Sequence, residues 1–352
     1  MGIPIEFLRT IEDDLRTSSS AVFGSVDWTF APTWTLTAGV RHTRETKDYD
    51  RTTSAFFGAP LEAFSADPQA VIDGAHRTWS ATTPSLALKK AFSDNVTAYV
   101  SANRGFKSGG FNGRANSQVE ADSPEFDPEY VWTYEAGLKM QSADRRFSAN
   151  FAAFHSNYTD FQARVSEIVD PDAPIPSFSF PVLNAASMKI DGLEFEGMAR
   201  LGERTTVVAQ LGWMDARYDE FVDPRTQLDP SLADLHAHVP FSPDFTGRVA
   251  LQHAIDLGGN GMLTFGGDAA YRSETWLSVD NRQGLRQGAY TLFGVYGVWD
   301  SPQYAWQVRA GVRNLGDETY KTEGQEFSSV GNIQTVYYGM PRNAYLSVRY
   351  NF

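Results

Sequence analysis

The last nine residues, AYLSVRYNF, alternate without a break. Ala344, Leu346, Val348, Tyr350 and Phe352 fall on one side of an extended chain; Tyr345, Ser347, Arg349 and Asn351 fall on the other. Period-two alternation is the pattern of a strand with one apolar and one polar face, and it excludes a helix. It recurs nearly throughout. Trp306, Val308, Ala310 and Val312 alternate with Gln307, Arg309, Gly311 and Arg313. In GMLTFGGDAAYR, Leu263, Phe265, Gly267, Ala269 and Tyr271 oppose Thr264, Asp268 and Arg272. In KIDGLEFEG the polar residues shift phase, from Lys189 and Asp191 to Glu194 and Glu196, and a bulge at Asp191–Gly192 is the expected cause.

About thirteen such strands are expected, starting near residues 18, 34, 77, 96, 130, 146, 182, 205, 241, 261, 290, 303 and 344. Each is close to the ~9–11 residues that cross a bilayer when tilted. The connections alternate. Short turns are read at Ala31–Thr33, Ser93–Asn95, Ser142–Arg145, Gly202–Arg204, Leu257–Asn260 and Asp300–Gln303. Long polar ones are read near 45–76, 107–129, 168–181, 223–240, 278–289 and 316–343. Short on one side and long on the other is the habit of transmembrane barrels, and a soluble sandwich has no reason to follow it. Phe30, Trp34, Phe92, Phe147, Trp299, Tyr304, Trp306 and Phe352 gather near the short turns, where a girdle at headgroup level belongs. The fold class is all-β: a transmembrane antiparallel β-barrel.

Bulk properties agree once the lumen is considered. The mean hydropathy of −0.35 suits a chain in which alternate residues face a polar lumen. No apolar run reaches the roughly eighteen residues of a membrane helix. With a net charge of −13, the chain repels nucleic-acid phosphate. There is no cysteine, hence no disulfide or thiolate site. The opening MGIPIEFLRTIEDDLRT lacks the basic leader and apolar core of a secretory signal.

One segment stands apart: RGFKSGGFNGR, residues 104–114. Its glycines fit neither a P-loop nor a dinucleotide fingerprint, so it is read as a loop at the outer end of a strand. Arg104, Lys107 and Arg114 would attract an anion, with Phe106, Phe111 and Asn112 beside them as ligand contacts. The other reading is that the glycines let the segment turn inward and shape the rim without touching ligand.

SANRGFKSGGFNGR resembles a stretch found midway through the barrel of TonB-dependent outer-membrane receptors. TLTAGVRHTRETK, NAASMKIDGLEFEG, AGVRNLGDETY and GMPRNAYLSVRYNF resemble other parts of that barrel, in the same order. The resemblance implies a 22-stranded, plugged receptor in the outer membrane of a Gram-negative bacterium. This chain would supply the C-terminal part of its barrel over residues 18–352, with 1–17 as a loop remnant. It implies as partners outer-membrane lipid, the barrel-assembly machinery, a plug domain and a TonB-type energy transducer. The ligand would be a scarce small molecule such as an iron chelate. Leu346, Val348, Tyr350 and Phe352 resemble the signal that the assembly machinery reads. The plug, the signal peptide and the segment that meets the transducer are not visible in the chain, so a fragment is expected.

Other constellations point to no chemistry. Asp234, His236 and His238 bring carboxylate and imidazole close, but without zinc-site spacing, and no metal is expected. Glu194 and Glu196 read as a lumen-facing row, as do Asp268 and Arg272. No hydrolase motif is present, so no catalytic residue or cofactor is assigned. A passive outer-membrane pore and a soluble carbohydrate-binding or interaction β protein are the competing functions.

Overall fold

A computed structural model describes residues 6–58, 68–113, 118–122, 124–165, 167–170, 177–179, 181–223, 230–327 and 333–352. A 13-stranded sheet dominates it. Its strands are β1 (Glu6–Ala31), β2 (Trp34–Gly58), β3 (Pro68–Ser93), β4 (Val96–Lys107) and β5 (Glu129–Gln141). Then come β6 (Phe147–Arg164), β7 (Val182–Leu201), β8 (Thr205–Phe221) and β9 (Phe245–Asp256). The last four are β10 (Met262–Arg272), β11 (Tyr290–Asp300), β12 (Trp306–Arg313) and β13 (Asn343–Tyr350). Each pairs antiparallel with the next in sequence, and β1 and β13 are the two edges. The six short turns therefore share one end of the sheet and the long connections share the other. At the short end Gly261 has φ 89° and faces the Asp300 carbonyl so closely that no Cβ fits.

The two faces differ as the alternation requires. Leu346 and Val348 stand 71% and 57% exposed beside the equally apolar Val308 and Ala310. Val22, Val26, Trp28, Leu36, Ala38 and Val40 share that face on β1 and β2. The opposite face carries Arg41, Thr43, Lys47, Tyr99, Glu135 and Glu194, and the Tyr99 hydroxyl donates to Glu135 at 2.5 Å. The apolar face is the lipid face and the polar one lines the lumen. At the short-turn end, Trp28, Phe30 and Trp34 form a chain of ring contacts, and the Lys90 ammonium lies 4.7 Å from the Trp34 ring centroid. Trp306, Tyr350 and Phe352 continue this belt at the other edge. An apolar stem with a cation at its tip suits headgroup level.

Three expectations are corrected. Residues 6–17, read as a loop, are the outer part of β1, which pairs with β2 from Glu6↔Gly58 onward. Likewise β3 starts at Pro68, not near 77. The strands run well past the bilayer, where both faces are wet and alternation no longer marks them. The bulge at Asp191–Gly192 does not exist either. Pairing with β8 is continuous there, and the register shift lies between Ser187 and Met188. Lys189, Asp191, Leu193 and Phe195 share one face. That face changes chemistry as it leaves the membrane, which is what shifted the polar phase. Just above the apolar band it carries His155–Asp191 at 2.6 Å, Arg217–Asp191 at 3.2 Å and Lys189–Asp219 at 2.8 Å.

Candidate functional site

The segment 104–114 splits into two parts. Residues 104–107 are the end of β4, so their side chains alternate between faces. Arg104 pairs with Trp132 and Phe106 with Tyr130, on the lipid face. The Arg104 guanidinium lies 4.3 Å from the Tyr130 ring centroid, and Phe106 stacks on the same ring at 6.4 Å. Lys107 faces the lumen, 3.9 Å from the Glu129 carboxylate. The six nominated residues thus do not form one surface, because a strand cannot present neighbours on the same side.

Beyond β4 the chain folds back over the lumen face of β2 and β3. Gly110–Phe111 pairs with Glu125–Phe126. The Phe111 ring stacks on Tyr49 at 5.6 Å and meets Trp79 edge-on at 5.8 Å. The Lys47 ammonium donates to the Gly109 carbonyl at 2.7 Å, and the Gln162 amide donates to the carbonyls of Ser108 and Asp127, each at 3.0 Å. Gly109 lies against the Trp79 indole and the Phe126 carbonyl, where a Cβ does not fit. Asn112 is buried and its backbone N–H donates to Pro124. Arg114 lies outside the described residues.

The connections after β10 and β12 interlock. Leu285 is fully buried, close to Leu277 and Gly324. The Lys321 ammonium donates to the carbonyls of Gly284 at 2.8 Å and Arg286 at 3.0 Å, so the paired strands Lys321–Phe327 and Ile333–Tyr338 sit on the connection between β10 and β11. Within that connection Arg286 donates to the Glu274 carboxylate, and this hydrogen bond holds Glu274 below its ordinary value of 4.5. A lowered folded value means stabilisation that is present above the ordinary value and lost as pH falls through the lowered one. The protection factors of the amides at Thr275 and Gln287, exchange rates corrected for their intrinsic pH dependence, should therefore fall on acidification through that range, and Arg286→Gln should remove that fall.

Asp223, His236 and Asp280 are all buried, and one ligand atom from each lies within 4.8 Å of the others. The His236 Nε2 is 2.7 Å from Asp223 Oδ2, and Nδ1 is 3.0 Å from the Val279 carbonyl. In the sequence His236 stands beside Asp234 and His238. Those two are exposed, and His238 stacks on Trp276 at 5.5 Å. Asp223 and His236 share the connection between β8 and β9 and Asp280 lies in that between β10 and β11, so only the fold unites the trio.

Residues 4–315 match a family model described as TonB dependent receptor-like, beta-barrel. Among solved structures, the ferric yersiniabactin uptake receptor FyuA from Yersinia pestis superposes with a TM-score of 0.77 at 17% identity, over 98% of this chain and 47% of that one. The ferric-catecholate import receptor Fiu from E. coli K12, in its closed form, gives 0.70 at 16% identity, over 97% and 45%. The siderophore receptor PiuA from Acinetobacter baumannii gives 0.69 at 16% identity, over 96% and 44%. The chain thus spans under half the length of each, and at these identities the likeness concerns the fold.

Proposed function

The chain belongs to the TonB dependent receptor-like β-barrel family, an outer-membrane family, and from that premise we propose that it is wall and rim of an uptake receptor. The ligand in this reading is a scarce small molecule of the metal-chelate class, imported with energy from the inner-membrane proton gradient through a TonB-type partner. A plug domain, held in the lumen, completes the receptor. The observation that supports this best is the rim. Its connections fold on one another and back over a polar lumen face, an arrangement that suits capture from outside. Solved structures that share this fold include a ferric yersiniabactin uptake receptor and a ferric-catecholate import receptor.

In this reading residues 104–113 act as a clasp between rim and wall. Arg104 and Phe106 anchor it at the outer headgroup level and Phe111 pins it to the lumen face. Aromatic pairs contribute about 0.5–1.5 kcal/mol each beyond burial. Phe111→Leu, which breaks two, is expected to loosen the clasp by about 1–3 kcal/mol. Limited proteolysis of the detergent-purified receptor should then cut faster between residues 108 and 127, and an unchanged cleavage rate argues against the clasp.

The uptake reading is tested in cells stripped of their own iron receptors. Cells producing the complete receptor should accumulate iron-55 presented as siderophore chelates, and deletion of the TonB-type transducer should abolish it. Accumulation that ignores that deletion would favour a pore.

A further inference from the structure

We propose that the lumen wall of β11–β13 docks a carboxylate-bearing face of a polypeptide held inside the barrel, with Arg309 and Arg313 as its anchors. The proposal rests on the uptake reading above, in which a separate domain occupies the lumen. It names the surface and the chemistry by which that domain meets this wall.

The cations are held in advance. The Tyr296 ring lies across Gly266 of β10 and the Tyr345 ring across Gly311 of β12, each so close that no Cβ fits beneath it. The Arg309 guanidinium lies 4.8 Å from the Tyr296 ring centroid and 5.8 Å from that of Tyr345. Arg313 approaches the Tyr345 centroid to 5.0 Å. A guanidinium against a ring keeps its forked N–H edge free. A side chain already fixed also loses little freedom when a partner arrives.

No acid of this wall answers them. Among the described residues none of Arg309, Arg313 and Arg349 is ion-paired, although the chain has a net charge of −13. The acids that share their face are engaged elsewhere: Asp268 pairs with Arg248 at 3.3 Å, and Asp300 accepts from the Gln307 amide at 2.9 Å. Arg309 stands between Val298 of β11 and Ser347 of β13, so both of its neighbouring strands are in place. A strand added beyond β13 would border Arg349, not Arg309. Burying an unanswered cation against protein is costly. A domain that fills this lumen has therefore to bring acceptors to the strip.

Depth and length select a polypeptide as the partner. Arg309 sits between Val308 and Ala310 of the lipid face, at the height of the hydrocarbon, so only something inside the barrel reaches it. Arg349 lies opposite Gln307, nearer the short turns, and Arg313 lies opposite Asn343, nearer the rim. From the level of Gln307 to that of Arg313 the strip runs roughly 20 Å, at ~3.3 Å per residue. A small anion answers one guanidinium fork at a time. A row of Asp and Glu side chains on a domain face answers the whole strip, and carboxylate is the acceptor that matches the fork at two points.

The test uses the complete receptor purified from outer membranes in detergent. Arg309→Lys puts an amine on the strip, and a carbodiimide then joins it to any carboxylate in contact, forming an amide while the reagent takes up the water. Mass spectrometry should find position 309 joined to an Asp or Glu outside residues 1–352. Ser347→Cys, opposite Arg309, reports whether the wall is covered, since these 352 residues hold no other cysteine. Its maleimide labelling should be slow. Arg309→Glu combined with Arg313→Glu should quicken it at least about tenfold, as expected for breaking a buried charge pair. Heat-modifiable migration confirms that the variants keep their barrel. Slow labelling without that cross-link, a small carboxylate joined at 309 instead, or a double variant that labels no faster overturns this proposal alone. Labelling at the rate of a free cysteine means an empty lumen and overturns the uptake reading with it.

Discussion

Residues 1–352 expressed alone behind a signal peptide are expected to yield no folded, protease-resistant species in the outer membrane. The reason is the pair of open edges. β1 and β13 are each paired on one side only and, with 13 antiparallel strands, run in the same direction. Joining them would require a parallel seam. Left open, each edge sets about four or five backbone groups in hydrocarbon without partners. Each such group costs several kcal/mol, so the total is on the order of tens of kcal/mol. A domain's net stability of ~5–15 kcal/mol cannot absorb this. Strands from outside this sheet are expected to cover both edges, and co-expression of further barrel strands should restore a heat-modifiable species. A stable monomer with ligand uptake from residues 1–352 alone would falsify this account of the edges.

The second large effect is on the lipid face of β13. Tyr350 sits in the belt with Trp306 and Phe352, and Leu346 lies one turn of the alternation deeper than Val348. Leu346→Lys in the complete receptor is expected to cost ~2–4 kcal/mol, the figure for a cation near the bilayer midplane, and Val348→Lys less. Ser347 faces the lumen opposite Arg309. There a lysine would meet a like charge, so Ser347→Glu is the fair comparison and should cost under ~1 kcal/mol. Urea titration of the refolded receptor in lipid measures all three. Equal losses at 346 and 347 would reject the face assignment.

The strands that cross the bilayer were legible because their signal is local. Residues two apart in Ala344–Tyr350 or Trp306–Val312 share a face whatever the rest of the chain does, and lipid on one side with a wet lumen on the other forces the alternation. Strand ends were not legible. Glu12, Asp13 and Asp14 look like loop residues, yet they pair with Thr52, Arg51 and Asp50 because the sheet continues into solvent, where no face must be apolar. The same change of surroundings made Lys189 and Asp191 mimic a bulge.

The candidate site divides along the same line. Sequence by itself determined the barrel class, the turn alternation and the odd character of residues 104–114, since glycine content and period-two patterning are properties of adjacent residues. Only the tertiary structure decided that Arg104 and Phe106 face lipid while Phe111 pins the lumen side, because that depends on where β4 ends and on what β2 and β3 present. Only it brought Asp223, His236 and Asp280 within 4.8 Å. They come from segments whose separation in the chain carries no trace of their contact, and the barrel's register is what sets those segments side by side.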